Sequence, residues 1–213
     1  MANRRKVGNL LALAILGTLV QRPMHPYEMA SILRDRGKDD DMPIKWGSLY
    51  TVVRNLEKHG FIEATGSTRE GGRPERTIYR ITDAGRDELK DWVRELLGTP
   101  EREQTRFKAA LSMIGALGPD EAIDLLQHRL ALLTAEIAAD RESLGRHDVP
   151  RLFLIEDEYG LAIQEAELGW IRGLLAELQT GTFPEIALWR SFHTTGEIPA
   201  ELRELAERGR PEQ

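Results

Sequence analysis

The sequence predicts a mainly α-helical protein that opens with a winged helix-turn-helix and closes on long antiparallel helices. Three observations carry this prediction. Apolar residues recur at three- and four-residue steps over most of the chain, the period of helices with one buried face. That period breaks between Phe61 and Ile81, where two short runs rich in β-branched and aromatic residues flank a glycine-rich stretch. A second break, Gly98-Thr99-Pro100, separates this mixed region from one that reads as helix throughout.

Leu10 to Val20 is apolar almost all round, as expected of a helix enclosed by its neighbours. Arg4, Arg5 and Lys6 ahead of it superficially resemble a secretory leader. No small-residue cleavage pattern follows, and the run falls short of the roughly 20 residues that span a bilayer. A buried helix in a cytoplasmic protein is expected, with no membrane partner. Pro23 stops it. His25-Pro26 opens the second helix, with Pro26 suited to the first position and Glu28 favourable near the N-terminal dipole. Met29, Ala30, Ile32 and Leu33 supply its core face, and Gly37 closes it. The third helix is expected from about Gly47 to His59, with Leu49, Val52, Val53 and Leu56 buried and Gly60 as its stop. Strands at Phe61 to Ala64 and Thr77 to Ile81 should flank a long hairpin tip, Thr65 to Arg76.

Thr82 and Asp83 can cap a fourth helix with the core stripe Leu89, Trp92, Val93, Leu96 and Leu97. Beyond the break, Phe107, Ala110, Leu111 and Ile114 mark a short helix stopped by Gly118-Pro119. A longer one follows, with Ile123, Leu126, Leu130, Leu133 and Ile137 in register and Gly145 as its end. Pro150 should open another, ending near Gly181, with the stripe Leu152, Ile155, Tyr159, Ala162, Ala166, Trp170, Leu174 and Leu178. Such narrow seams resemble coiled coils and call for partners, so a homodimer is expected through Ile123, Leu126, Leu130, Leu133, Ile137, Tyr159, Ala166 and Trp170. The expected domains are 1–98, a winged helix-turn-helix, and 101–181, a helical dimerisation domain. In the tail, 182–213, Phe183, Ile186, Leu188, Trp189 and Phe192 can dock, and the end should fray.

The 213 residues are 41% hydrophobic and 30% charged, enough for a sizeable core. Cysteine is absent, which excludes disulfides, thiolate metal sites and cysteine nucleophiles. The five histidines are scattered without metal-ligand spacing, and no phosphate loop, dinucleotide fingerprint or nucleophile elbow occurs. Neither a metal, a cofactor nor an enzymatic activity is expected. The net charge of −6 hides an asymmetry: residues 1–95 carry +3 and residues 96–213 carry −9. Only the first part suits phosphates.

Opposite the apolar stripe of the third helix lie Thr51, Arg54, Asn55 and Lys58, with Ser48 and Tyr50 near its start and Lys45 just before it. A helix docked by its apolar side can carry such residues into a major groove, where Arg and Asn pair bidentately with guanine and adenine edges. Arg69, Arg73 and Arg76 beside flexible glycines suit a minor groove or the backbone. Double-stranded DNA is the expected partner. Two alternatives stand beside it: a winged-helix module that binds another protein, and a ligand sensor that does not touch DNA.

The segments LALAILGTLVQRPMHPYEMASIL, GSLYTVVRNLEKHGFIEA and GGRPERTIYRITDAGR resemble the N-terminal domain of the PadR family of bacterial transcription regulators. The most specific pieces are Gly47-Ser48-Leu49-Tyr50, Leu56-Glu57, Gly60 and the stretch from Arg73-Pro74 to Thr82-Gly85. Residues 102–179 resemble the helical domain of the branch similar to the virulence activator alpha type. The resemblance implies a homodimeric regulator, usually a repressor, that responds to a ligand or other signal. It would put His25 and Tyr27 near a backbone phosphate and Ser48 and Tyr50 on DNA. Tyr27 can instead pack on the first helix, Tyr50 can cover the domain's edge, and Trp46 reads as a packing anchor. Trp92, Phe107, Phe153 and Trp170 form a candidate pocket for a small aromatic or apolar effector, with ordinary core packing as the alternative.

Overall fold

The computed structural model describes residues 5–38, 42, 44–68, 76–100, 105–145 and 149–197. The chain divides into two compact units, residues 1–102 and 103–213. The architecture is mainly helical, and the described residues contain one two-stranded antiparallel sheet.

In the first unit, α1 (Leu10–Leu19) is almost wholly buried, and the Asn9 side chain accepts the Leu11 N–H at 2.9 Å to cap it. Thr18, a buried polar residue, donates its hydroxyl to the Ala14 carbonyl within the same helix. After Pro23 comes α2 (Pro26–Asp35), then a 3-10 turn (Trp46–Ser48) leading into α3 (Leu49–Lys58). Leu49, Val52, Val53 and Leu56 of α3 are buried as their spacing predicts. Gly60 ends the helix at φ +72°, with its N–H on the Glu57 carbonyl and the Phe61 N–H on the Leu56 carbonyl. That pairing closes the helix end and turns the chain into the sheet.

The sheet pairs β1 (Ile62–Thr68) with β2 (Arg76–Ile81). Both strands are longer than expected, because β1 runs on through part of the anticipated hairpin tip. A bulge between Ala64 and Gly66 absorbs Thr65, whose hydroxyl lies 3.4 Å from the Ile78 carbonyl, and pairing resumes beyond it. Met24 adds a bridge to the outer side of β2, exchanging both backbone hydrogen bonds with Tyr79. The wing's root is thus tied to the α1–α2 connection.

Helix α4 (Asp83–Gly98) is capped by Thr82, whose hydroxyl accepts the Gly85 N–H at 3.0 Å. Of its expected core stripe, Trp92 is buried and Leu89 packs at the edge of the core. Val93, Leu96 and Leu97 are exposed. Helix α4 lies over the first unit's core only as far as Trp92, and the apolar residues after it are not covered there. Arg5 packs over the Trp92 ring and pairs with Glu88 and Glu95, fixing the chain's start to α4.

The second unit holds α5 (Arg106–Leu111), a 3-10 turn (Ile114–Ala116), α6 (Pro119–Gly145), a 3-10 turn (Arg151–Phe153), α7 (Ile155–Thr180) and α8 (Ile186–Thr195). Its core joins Leu126, Leu133 and Ile137 of α6 to Leu168, Ile171, Leu175 and Leu178 of α7, with Ile186 of α8. The long helix therefore opens at Ile155 rather than at Pro150. Of its expected stripe, Leu174 and Leu178 lie in or against the core, whereas Leu152, Ile155, Tyr159, Ala162, Ala166 and Trp170 are exposed. Two salt bridges, Arg129–Glu167 and Arg141–Glu165, flank the α6–α7 seam.

Candidate nucleic-acid interface

Because Leu49, Val52, Val53 and Leu56 tie α3 to the core, the opposite side of the helix is turned outward. Tyr50, Thr51, Arg54, Asn55 and Lys58 are all exposed on it. From Tyr50 to Lys58 the face rises about 12 Å at 1.5 Å per residue. A major groove is about 12 Å wide. Ser48 is half-buried and donates its hydroxyl to the Lys45 carbonyl at 2.7 Å, fixing the turn that starts α3, and Lys45 itself is exposed.

His25 has a structural task that its sequence context did not reveal. It is the N-cap of α2: its Nδ1 accepts the Glu28 N–H at 3.2 Å, so the proton of the neutral ring sits on Nε2. Tyr27 does not pack on α1. It is 64% exposed and stacks on the His25 ring at 6.2 Å. Tyr50 is 63% exposed and covers no edge. Trp46 packs against the core with the Arg34 guanidinium 4.2 Å above its ring, the anchor role. Arg22 pairs with Glu28 and holds that carboxyl below its ordinary range.

Arg69 and Arg73 lie outside the described residues. Arg76 starts β2, opposite Thr68 in the ladder. At the wing's root, burial pushes the Tyr79 phenol above its ordinary range, and the Glu57 carboxylate that accepts its hydroxyl adds to this. Glu57 is thereby engaged with the wing while its neighbours on α3 face outward.

The residues expected at a dimer interface divide into two groups. Leu126, Leu133 and Ile137 are buried against α7, and Ile123 and Leu130 are partly buried around the same core. The seam expected to hold a second copy instead holds α6 to α7 within one chain. Tyr159, Ala166 and Trp170 remain exposed, as do Ile155 and Ile163 beside them. The candidate effector residues belong to both units. Trp92 belongs to the first unit's core, whereas Phe107 meets Trp170 edge-on at 6.2 Å in the second unit. Phe153 is exposed in the turn before α7, and roughly 22 Å of helix rise separates the start of α7 from Trp170.

Residues 15–91 match the Transcriptional regulator PadR-like family. The negative transcriptional regulator PadR of Bacillus subtilis is 28% identical over 129 residues, which cover 61% of this chain and 70% of that protein. Its crystal structure in complex with operator DNA superposes with a TM-score of 0.66 at 24% identity, covering 80% of this chain and 99% of that one. The same protein in complex with p-coumaric acid gives 0.65 at 22%, again covering 80% and 99%. The Vibrio cholerae virulence activator AphA gives 0.56 at 19%, covering 80% and 98%. These likenesses support one fold over most of the chain, its long C-terminal helices included.

Proposed function

We propose that this chain, which carries a PadR-like domain over residues 15–91, is a sequence-specific DNA-binding transcription regulator. In this reading it is a repressor that binds an inverted-repeat operator as a homodimer and is released by a small-molecule effector. Such a role places it in the cytoplasm, and none of its described helices is long and apolar enough to cross a membrane. Residues 1–98 read DNA, and residues 101–181 bring two copies together. The observation that carries this is the two-sided build of α3. Four apolar residues anchor it, and five groove-compatible side chains stand on its outer face.

Each side chain has a role under this reading. Arg54 and Asn55 reach base edges, Lys45 and Lys58 meet phosphates, and Tyr50, Thr51 and Ser48 seat the start of α3 in the groove. His25 caps α2 and presents Tyr27 beside a helix N-terminus, where backbone N–H groups favour a phosphate. Arg69, Arg73 and Arg76 would complete the contact from the wing.

Footprinting on the DNA flanking the protein's own gene, followed by a salt titration, tests this. Affinity should fall steeply with salt, in proportion to the phosphates neutralised. Arg54→Ala should weaken specific binding by about 1–3 kcal/mol and relax the preference at one base pair. Tyr50→Ala should weaken binding without unfolding the protein. Leu56→Ala is the control for the buried face and should cost about 2–5 kcal/mol of stability. Retention of full affinity by both outer-face variants would favour a protein-binding winged helix instead.

A further inference from the structure

The exposed part of α3 is not uniform. Tyr50, Arg54 and Glu57 follow one another at steps of four and three residues and so share one flank of the helix. Tyr50 and Arg54 suit DNA, whereas a carboxylate beside them repels phosphate. Its task lies in the wing. Glu57 is exposed on α3, and the Tyr79 phenol of β2 donates its hydroxyl to it.

Tyr79 is where three segments meet. Its backbone pairs with Ala64 across the sheet and exchanges two hydrogen bonds of 3.0 Å with Met24 in the α1–α2 connection. Tyr79 is 9% exposed, whereas Ile78 is half-buried and Ala64, Thr65, Gly66 and Thr77 are exposed. Among the described strand residues, it is the last side chain buried on the way to the tip. Neither the ladder nor the Met24 bridge reaches α3. The phenol does.

We propose that the Tyr79–Glu57 hydrogen bond sets the wing against the recognition helix, which makes Glu57 a positioning residue for DNA reading rather than a DNA contact. Its consequence at DNA rests on the regulator reading above; the bond itself does not. Arg76 lies three residues beyond Tyr79, about 10 Å along the strand. A wing tilted by about 10° at Tyr79 would carry Arg76 by about 2 Å. A hydrogen bond spans only about 0.5 Å between its shortest and longest useful lengths. The wing's arginines and α3 can thus engage one duplex together only while the angle between them is held.

Hydrogen exchange of the full-length protein without DNA tests the bond. Glu57→Ala and Tyr79→Phe should each speed exchange of the wing amides 62–66 and 77–80 about fivefold, what one exposed hydrogen bond is worth. The amides of α1 should be unchanged, which shows that both variants fold. Glu57→Gln keeps an acceptor and should exchange like the wild type. Footprinting on the operator then tests the consequence. In Glu57→Ala and Tyr79→Phe, the wing's protection of the DNA backbone from hydroxyl radicals should fade, while guanine N7 under α3 stays shielded from dimethyl sulfate. Affinity should fall about fivefold, with a shallower salt dependence as phosphate contacts are lost. Removal of a charge alone would do the opposite, tightening binding in Glu57→Ala and Glu57→Gln alike. Glu57→Ala combined with Tyr79→Phe should be no weaker than either single variant, because both remove the same bond. Unchanged wing exchange in both single variants, or a Glu57→Ala protein that binds as tightly as Glu57→Gln with its wing footprint whole, would overturn the assignment. A wild-type protein that leaves no footprint would refute the DNA reading instead, and the exchange rates would still decide the bond.

Discussion

Gly85 and Tyr79 show how closely single residues at the wing's root are constrained. A Cβ added at Gly85 would lie 2.0 Å from the Phe61 carbonyl oxygen and 2.9 Å from Ile81 Cγ1. The first of these neighbours is backbone and cannot swing aside, so Gly85→Ala should cost at least about 3 kcal/mol, the upper end for overpacking. A urea midpoint unchanged by this substitution would show that α4 does not cross the sheet there. The need is for space, unlike that at Gly60, whose positive φ asks for glycine on conformational grounds. Tyr79 makes a different prediction. Its phenol is pushed up first by burial and then by Glu57, with Arg54 pulling weakly the other way. The folded state thus holds this proton more tightly than the unfolded chain, so its stabilisation is complete below about pH 10, the ordinary tyrosine value. It is lost as pH rises above that value. Tyr79→Phe should lose less stability than the wild type between neutral pH and pH 11. Parallel urea-midpoint profiles for the two proteins would refute the argument. Neither constraint is visible in sequence: Gly85 stands within a helix, and Tyr79 meets partners 22 and 55 positions away.

At the scale of elements, legibility followed the number of faces a segment could bury. Helix α3 has one apolar stripe, and all four residues of that stripe are buried. Helix α1, apolar all round, could only be an enclosed helix, and it is one. Helix α7 carries apolar residues on two faces. Leu161, Leu168, Ile171, Leu175 and Leu178 form one stripe, and Ile155, Tyr159, Ile163 and Trp170 form the other. Periodicity scores both alike, and only the packing of α6 against the first chooses between them. Strand β1 escaped in another way. Its extension past Ala64 depends on a bulge at Thr65, and a bulge shifts the two-residue alternation by which strands are read. The outer residues of α3 were legible as a group because the buried stripe fixes which side faces out. The capping role of His25 was not, because imidazole is an uncommon helix cap.

For the whole molecule the exposed stripe of α7 decides what assembly can be built. Tyr159 is 69% exposed and Trp170 50%, with Ile155 and Ile163 on the same side, an apolar strip over about 22 Å of helix. Large aromatic and branched residues in a row are costly to leave in water, and a two-fold axis lets one such strip cover another. The acidic residues 96–213, at −9, would repel phosphate and so confine DNA reading to the first unit. If the strip forms the dimer, Tyr159→Asp combined with Trp170→Asp should sediment as a monomer at micromolar concentration and keep its helical signal. Leu133→Asp, which charges the intrachain core, should unfold the second unit instead. A two-fold dimer further requires its two α3 helices to reach major grooves about 34–36 Å apart on one side of the duplex. Adding about five base pairs between the half-sites turns the second groove to the far side, and adding about ten returns it. The wild-type protein should therefore lose affinity sharply with the shorter insertion and recover part of it with the longer. The Asp double variant, bound through one half-site at a time, should be weak on all three operators and indifferent to their spacing. A wild-type protein that is monomeric in sedimentation, or equally tight on every spacing, would rule out the two-fold arrangement. Recognition by α3 would survive that result, since one helix in one groove needs no second copy.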